Sequence, residues 1–434
     1  KFVIASDGSL STPTLGTSNV RFGVNAGNSI ESGGNYNVCI GDEAGTTLTT
    51  ADNCTLIGYN AGASITTGSG NTMVGYVAGD ALDGGYNNVG IGLFALSDEI
   101  EGRGSTAVGV SALQSQSNAG GADTLNTAVG FNAGNIVSTG TNNTFMGNGA
   151  GIAANTGSYQ VAIGSLAGST YSTATGVISI GYKAGAASST NGANIFIGYL
   201  AGETCTSGYN CVVGHLAGEE MVGASHNTFI GTYAGQETTA GFSNTFVGMS
   251  TGITNTNGDK NCIVGNYSDT AVADANGANG IGYDLDCVSG YTTLGDTGSD
   301  IRAAHGNVTW STVSDRRVKK DIETSTAGLD IINELRPVTF NYKTKGDLPE
   351  SFKGYEKDST ESYRSEKTQH GFIAQEVKEV VDAHSNLKDG FSLWSLRNTE
   401  DDQSQQEVGE AALIPILVKA IQELSKQVED LKNG

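Results

Sequence analysis

The chain has 434 residues and a formal net charge of −22, with 45 acidic against 23 basic side chains. No basic patch or arginine-rich arm stands ready to neutralise phosphates, which argues against nucleic-acid binding. No run of about 18 apolar residues is present and Lys1 opens no signal-peptide pattern, so no membrane insertion is expected.

Composition changes abruptly along the chain. The residues before Ser314 hold 28 charged side chains and 56 of the 63 glycines, whereas Ser314 onward holds 40 charged side chains and 7 glycines. Two folds with two tasks are expected, divided as 1–18 (an N-terminal strand or cap), 19–282 (repeats), 283–313 (a β neck) and 314–434 (a small α+β domain ending in a long helix). The first residue is Lys1 rather than Met, so an anchoring region upstream is expected. All six cysteines (39, 54, 205, 211, 262 and 287) lie in the repeats at irregular places. They make no CxxC pattern, and the expectation is small apolar fillers, with no metal and no cofactor.

A phrase such as Asn126-Thr127-Ala128-Val129-Gly130-Phe131-Asn132-Ala133-Gly134 recurs throughout the repeats. Its central glycine falls at 23, 41, 58, 75, 92, 109, 130, 147, 164, 181, 198, 214, 231, 248, 265 and 282, and twelve of the fifteen intervals are 17 residues. The single interval of 21 reflects an insertion around Gln116 to Asp123. So regular a period predicts a mainly β fold, a β-solenoid with one coil per repeat; at about 4.8 Å per coil, sixteen coils make a rod of about 75 Å. The residue before each glycine is apolar in every repeat, and Thr, Val, Ile or Cys stands two places earlier in nearly all. These two positions share a strand face and are expected to line the interior. Asn opens most strands, and stacked Asn side chains predict a hydrogen-bonded ladder. The residue between the two lining positions is then expected to face outward. It reads Phe145, Phe196, Phe229 and Phe246 in places, and an exposed apolar row is a hazard unless covered. That row is therefore expected to form a trimer interface among three rods. The phrase is similar to repeats in trimeric adhesin heads and in large repeat proteins of viral and phage fibres, with a longer period than the adhesin repeat.

From Tyr283 to Trp310 the period fades, and short strands are expected to close the end of the rod. The segment Val313-Ser314-Asp315-Arg316-Arg317-Val318-Lys319-Lys320-Asp321 follows. Downstream come Leu335-Arg336-Pro337-Val338-Thr339-Phe340-Asn341-Tyr342 and His370-Gly371-Phe372-Ile373-Ala374-Gln375-Glu376-Val377. The last stretch runs from Leu413 to Leu424. These motifs, in this order over 314–434, resemble the peptidase S74 family, the C-terminal intramolecular chaperone domains of phage endosialidases and tail fibres; Val318 stands where that family usually has Leu. The resemblance implies self-cleavage at Val313–Ser314, with Ser314 as nucleophile, Lys319 as its base, and Asp315 and Arg317 in support. A serine hydroxyl needs a neighbouring base, and lysine serves only if burial or nearby cations lower its proton affinity. Arg316, Arg317 and Lys320 supply cations. Ser311 lacks the Asp-x-Arg-x-Lys context that follows Ser314.

In the C-terminal region Leu329, Ile332 and Leu335 predict a short helix stopped by Pro337. Val338, Phe340 and Tyr342 alternate as a half-buried strand. Residues 344–368 are charged and expected to form a loop, and Phe372 to Val381 a helix. The final helix carries a heptad seam of Ile414, Ile421 and Val428 with Leu417, Leu424 and Leu431. Such a seam on its own favours two strands, but the resemblance implies three, and Leu417 and Leu424 are expected at a trimer interface. His370 and His384 are expected as surface or capping residues.

The functional expectation is a homotrimeric virion or tail-fibre shaft for host attachment, assembled by a C-terminal chaperone that cuts itself once in cis. Its expected partners are other virion proteins and a cell-surface receptor or glycan; its place is extracellular, on the virion, after synthesis in the host cytoplasm. Parallel β pairing between distant segments folds slowly and exposes sticky edges, which gives such a clamp its purpose. The alternatives are a tailspike glycan depolymerase, which needs paired carboxylates, and a bacterial trimeric adhesin, which needs a membrane anchor. An ice-binding face built on Thr72, Thr127, Thr144 and Thr228 conflicts with the expected inward direction of that row.

Overall fold

The computed structural model describes residues 15–434 except Ala119, 189–191, Val308, Val313, Lys353, 388–391 and 397–404, together with the backbone of two short N-terminal strands. Those strands, Val3–Ile4 and Leu10–Ser11, pair antiparallel. The chain divides into two compact units, Lys1–Val313 and Ser314–Gly434.

The first unit is a β-solenoid. Three-residue strands from Val20–Phe22 to Cys262–Val264, and then Asn279–Tyr283, pair parallel with the next in sequence order. The register is strict: Thr55, Leu56 and Ile57 sit over Thr72, Met73 and Val74. A seventeenth rung, Tyr291–Asp296, continues the parallel ladder, and Ile301–Ala304 and Ser311–Thr312 then close it antiparallel. Within the expected neck, Val308 lies outside the described residues.

Two devices make each coil stack on the next. Each rung ends in a glycine in the left-handed half of backbone space; Gly58 has φ +133°, and a Cβ there would lie 2.2 Å from the carbonyl oxygen of Gly75. Only glycine permits both that backbone and so close an approach. The asparagine that opens most rungs is buried and bonds to the neighbouring coil. Asn244 Oδ1 accepts from the Asn261 backbone N–H at 3.0 Å, and its Nδ2 donates to the Gly258 carbonyl at 2.7 Å. The ladder expected from sequence is present, and its rungs are mainly side chain to backbone. It satisfies peptide groups at a corner where the β ladder cannot reach them.

The direction of the strand faces is the reverse of the expectation. The middle residue of each rung points into the coil: Leu56, Met73, Phe145, Phe196, Phe229 and Phe246 are all 0% exposed. Phe145, Phe196, Phe229 and Phe246 are thus core residues of a single chain, closed to any neighbouring chain. Their variation in size, which read as a surface row, is volume compensation within a tight interior. Gly90 packs under Met73, whose sulfur would lie 2.7 Å from an added Cβ. Ser179 makes room for Tyr171, with which it shares a hydrogen bond. The flanking positions, expected inside, face out. Thr72, Thr127, Thr144 and Thr228 are part-exposed, so the ground on which an ice-binding face was set aside does not hold. Val38, Val89, Val161 and Ile178 interrupt that row, which leaves no regular array of hydroxyls.

The four-residue insertion is pinned by a residue that the sequence pattern did not single out. Glu99 is fully buried. Its Oε1 accepts from the N–H groups of Gly102 (2.7 Å) and Asn118 (3.1 Å), and its Oε2 accepts from Gln116 Nε2 (2.6 Å). A buried carboxylate demands partners, and the inserted loop provides them. Cys39, Cys54, Cys205 and Cys287 fill the core as expected, but Cys211 is half-buried and Cys262 exposed. Burial pushes the Cys39 thiol up to about 12, so it is inert.

The second unit packs α1 (Leu329–Glu334), α2 (Ala374–Ala383) and α3 (Leu413–Asn433) around Ile331, Val377, Leu393, Leu413 and Ile416. Strand Val338–Phe340 pairs antiparallel with Gln369–Gly371. Residues 344–368, expected as a loop, are laced by Lys345, which pairs with both Glu356 and Glu361.

Candidate functional site

The junction motif builds its own geometry within six residues. Asp315 caps a single 3-10 turn, Arg316–Val318: its Oδ1 accepts from the Arg317 backbone N–H at 2.8 Å. Its other oxygen takes the Arg317 guanidinium at 2.7 Å. That hydrogen-bonded pair holds the Asp315 carboxyl below the usual carboxylate range and raises Arg317. The turn reverses the chain, and Lys319 Nζ donates to Ser314 Oγ at 2.7 Å. The serine hydroxyl and the lysine amine are therefore within hydrogen-bond reach, the geometry that a Ser/Lys pair would need. Both side chains are exposed, so within one chain nothing desolvates the lysine. Val313 lies outside the described residues. Ser311 sits in the antiparallel strand opposite Arg302.

The other two motifs of the C-terminal unit meet each other. Arg336 Nε donates to Glu376 Oε2 at 2.9 Å, and Thr339 pairs with His370 across the small sheet. Glu423, on α3, accepts the first N–H of α1 from Leu329 at 2.9 Å, which ties the final helix to the rest. His384 ends α2, and its Nε2 lies 3.0 Å from Glu334 Oε2, a capping and bridging role; His370 is exposed. The inner face of α3 is buried through Leu413, Ile416 and Ala420. Its outer seam is bare: Ile414, Leu417, Ile421, Leu424, Val428 and Leu431 are all exposed. Beside it lies a groove of about 730 Å³ between Leu335, Val338, Phe372, Leu413 and Leu417.

Asp269 and Asp286, register partners on adjacent coils, are one pair of neighbouring carboxylates on the solenoid. Burial, with a smaller push from Asp286, raises the Asp269 carboxyl. Its oxygens are already engaged by the backbone N–H groups of Thr254 and Thr270. The Asp269 carboxylate thus serves to fix a turn. No cluster of three or more metal-ligating side chains occurs among the described residues. No helix among the described residues is long and apolar enough to cross a membrane.

The sequence profile of the peptidase S74 family, described as chaperone of endosialidase, matches residues 314–386. The match begins at the serine of the Ser/Lys contact and takes in the motifs around Arg336 and Glu376; α3 lies beyond it. No curated protein and no solved structure matches the chain. The C-terminal unit thus carries a chaperone-of-endosialidase module behind a solenoid of about sixteen turns.

Proposed function

We propose that the chain is the shaft of a homotrimeric virion fibre or spike for host attachment, assembled by residues 314–434 and released by one self-cleavage at Val313–Ser314. The observation that carries this reading is the 2.7 Å contact between Lys319 Nζ and Ser314 Oγ at the first residue of the family match. The bare seam on α3 supports association of the C-terminal units, since a heptad face of Ile, Val and Leu buries itself against copies.

The chemistry follows from the position of the nucleophile beside its own bond. Lys319, once neutral, takes the Ser314 hydroxyl proton while the oxygen attacks the carbonyl carbon of residue 313. The C–N bond breaks as that proton passes to the Ser314 nitrogen, which leaves an ester between residue 313 and Ser314. Water then cleaves the ester, giving a carboxylate at residue 313 and a free amino group and hydroxyl on Ser314. The nucleophile leaves as the new terminus, so the reaction runs once.

Timing comes from solvation. The dyad contact needs only one local turn, so contact alone does not report assembly. Lysine becomes a base when its ammonium is desolvated or crowded by cations. Lys319 is exposed in the single chain, with Arg316 and Lys320 as sequence neighbours. Burial between assembled chains supplies the missing desolvation, and cleavage then marks a finished trimer. Ser314→Ala and Lys319→Ala should each leave one full-length band on a denaturing gel while the parent gives two. Two bands from Ser314→Ala would refute the assignment.

A further inference from the structure

The solenoid carries an outward face whose chemistry the fold itself does not use. In all sixteen rungs the residue before the glycine is apolar and points out of the coil; Phe22, Met146, Ile230 and Ile281 are 59, 47, 42 and 60% exposed. Two residues earlier stands mostly Thr, Val or Ile, and just after the glycine short aromatic stacks punctuate the corner. Tyr59 stacks on Tyr76 at 5.3 Å, and Tyr182 on Tyr199 at 5.4 Å. Across these three columns Asp42 is the one acidic side chain, and there is no lysine or arginine. A strand apolar on both faces is covered on both.

We propose that this face is where the solenoids of identical chains meet, in register, around the trimer axis. Three features select a second copy as the occupant. The column before the glycine is apolar at every rung, so a surface with the same spacing matches it along its length, and another copy has that spacing by construction. It lacks the charge that would distinguish a foreign partner. Its size also suits: sixteen rungs at about 4.8 Å and a width of about 10 Å give about 770 Å² per chain, close to the roughly 800 Å² each partner brings to a stable interface. Residues before the glycine lie nearest the axis, where rotation places equal residues at equal height. The inference rests on the trimeric reading above and replaces the phenylalanine row that sequence pattern had suggested.

The test uses the full chain carrying Ile230→Cys with Cys211→Ser and Cys262→Ser, treated with a short trifunctional maleimide. The control is Glu237→Cys, exposed elsewhere on the same coil. Covalent trimers from Ile230→Cys and none from Glu237→Cys are expected. Native Cys262, exposed in the same face, gives a second probe with only Cys211 replaced, should Ile230→Cys assemble poorly. Light scattering separates the outcomes. A trimeric mass without cross-links at either probe overturns this face and leaves the trimer standing. A monomeric mass for the unsubstituted chain overturns both. Cross-linked dimers that never proceed to trimers overturn the three-fold arrangement.

Discussion

Replacing Phe246 by alanine probes the interior of the solenoid. The ring is 0% exposed and stacks on Phe229 at 5.1 Å, nearly parallel. Gly252 comes so close that an added Cβ would sit 2.4 Å from the ring, so the coil has shaped itself around this side chain. Removing a buried phenylalanine costs about 3–5 kcal/mol, of which the lost aromatic pair supplies about 0.5–1.5 kcal/mol. A stacked repeat protein unfolds locally, so the loss is read coil by coil. Hydrogen exchange of amides in Thr228–Ile230 and Thr245–Val247 should accelerate by roughly two to nearly four orders of magnitude, since each 1.4 kcal/mol is about tenfold. Strands around Thr55–Ile57 should keep their protection. The double variant with Phe229→Ala should cost less than the sum of the two, because the partners share one stack. If Phe246→Ala changed exchange by less than about threefold, as a surface substitution does, the inward direction of the middle residue would be wrong.

Asn244→Ala removes a side chain that serves two backbone groups, leaving the Asn261 N–H and the Gly258 carbonyl unpaired; a cost of about 1–3 kcal/mol for each buried orphan is expected, measured as faster exchange at Asn261. In the C-terminal unit the Glu376 carboxyl is held below its ordinary range by Arg336. A depressed carboxylate contributes stability that is complete above its unfolded value, about pH 4.3, and is lost as pH falls through the folded one. Glu376→Gln should therefore flatten the acid side of that unit's stability profile, followed by near-ultraviolet circular dichroism from pH 7 to pH 3. An unchanged profile would show that the pair plays no part.

The coil and its length were legible because glycine stands at one place in every repeat and asparagine opens most of them. Gly58 cannot carry a Cβ, and the Asn244 amide serves two backbone groups that would otherwise be left unpaired, so these residue types recur at fixed spacing. The direction of the strand faces was not legible, because two physical rules gave opposite readings. A constant apolar column suggests a core, yet here the core column varies from Gly90 to Phe246 as neighbouring coils trade volume. The constant column, Val74, Ile91 and their equivalents, faces out. The Ser314–Lys319 pair came from the family resemblance rather than from local pattern; the structure brings the two side chains together because they stand five residues apart around the turn that Asp315 caps. The link from Arg336 to Glu376 spans forty residues, and Glu99 finds its partners in an insertion with no repeat to compare. Neither leaves a mark on local pattern.

Intact-mass spectrometry of the purified full-length protein tests the central claim most directly. Two species are expected, one ending at Val313 and one beginning at Ser314 with a free amino group, and only the uncut chain in Ser314→Ala. A parent protein that stays whole after assembling into trimers would contradict the account.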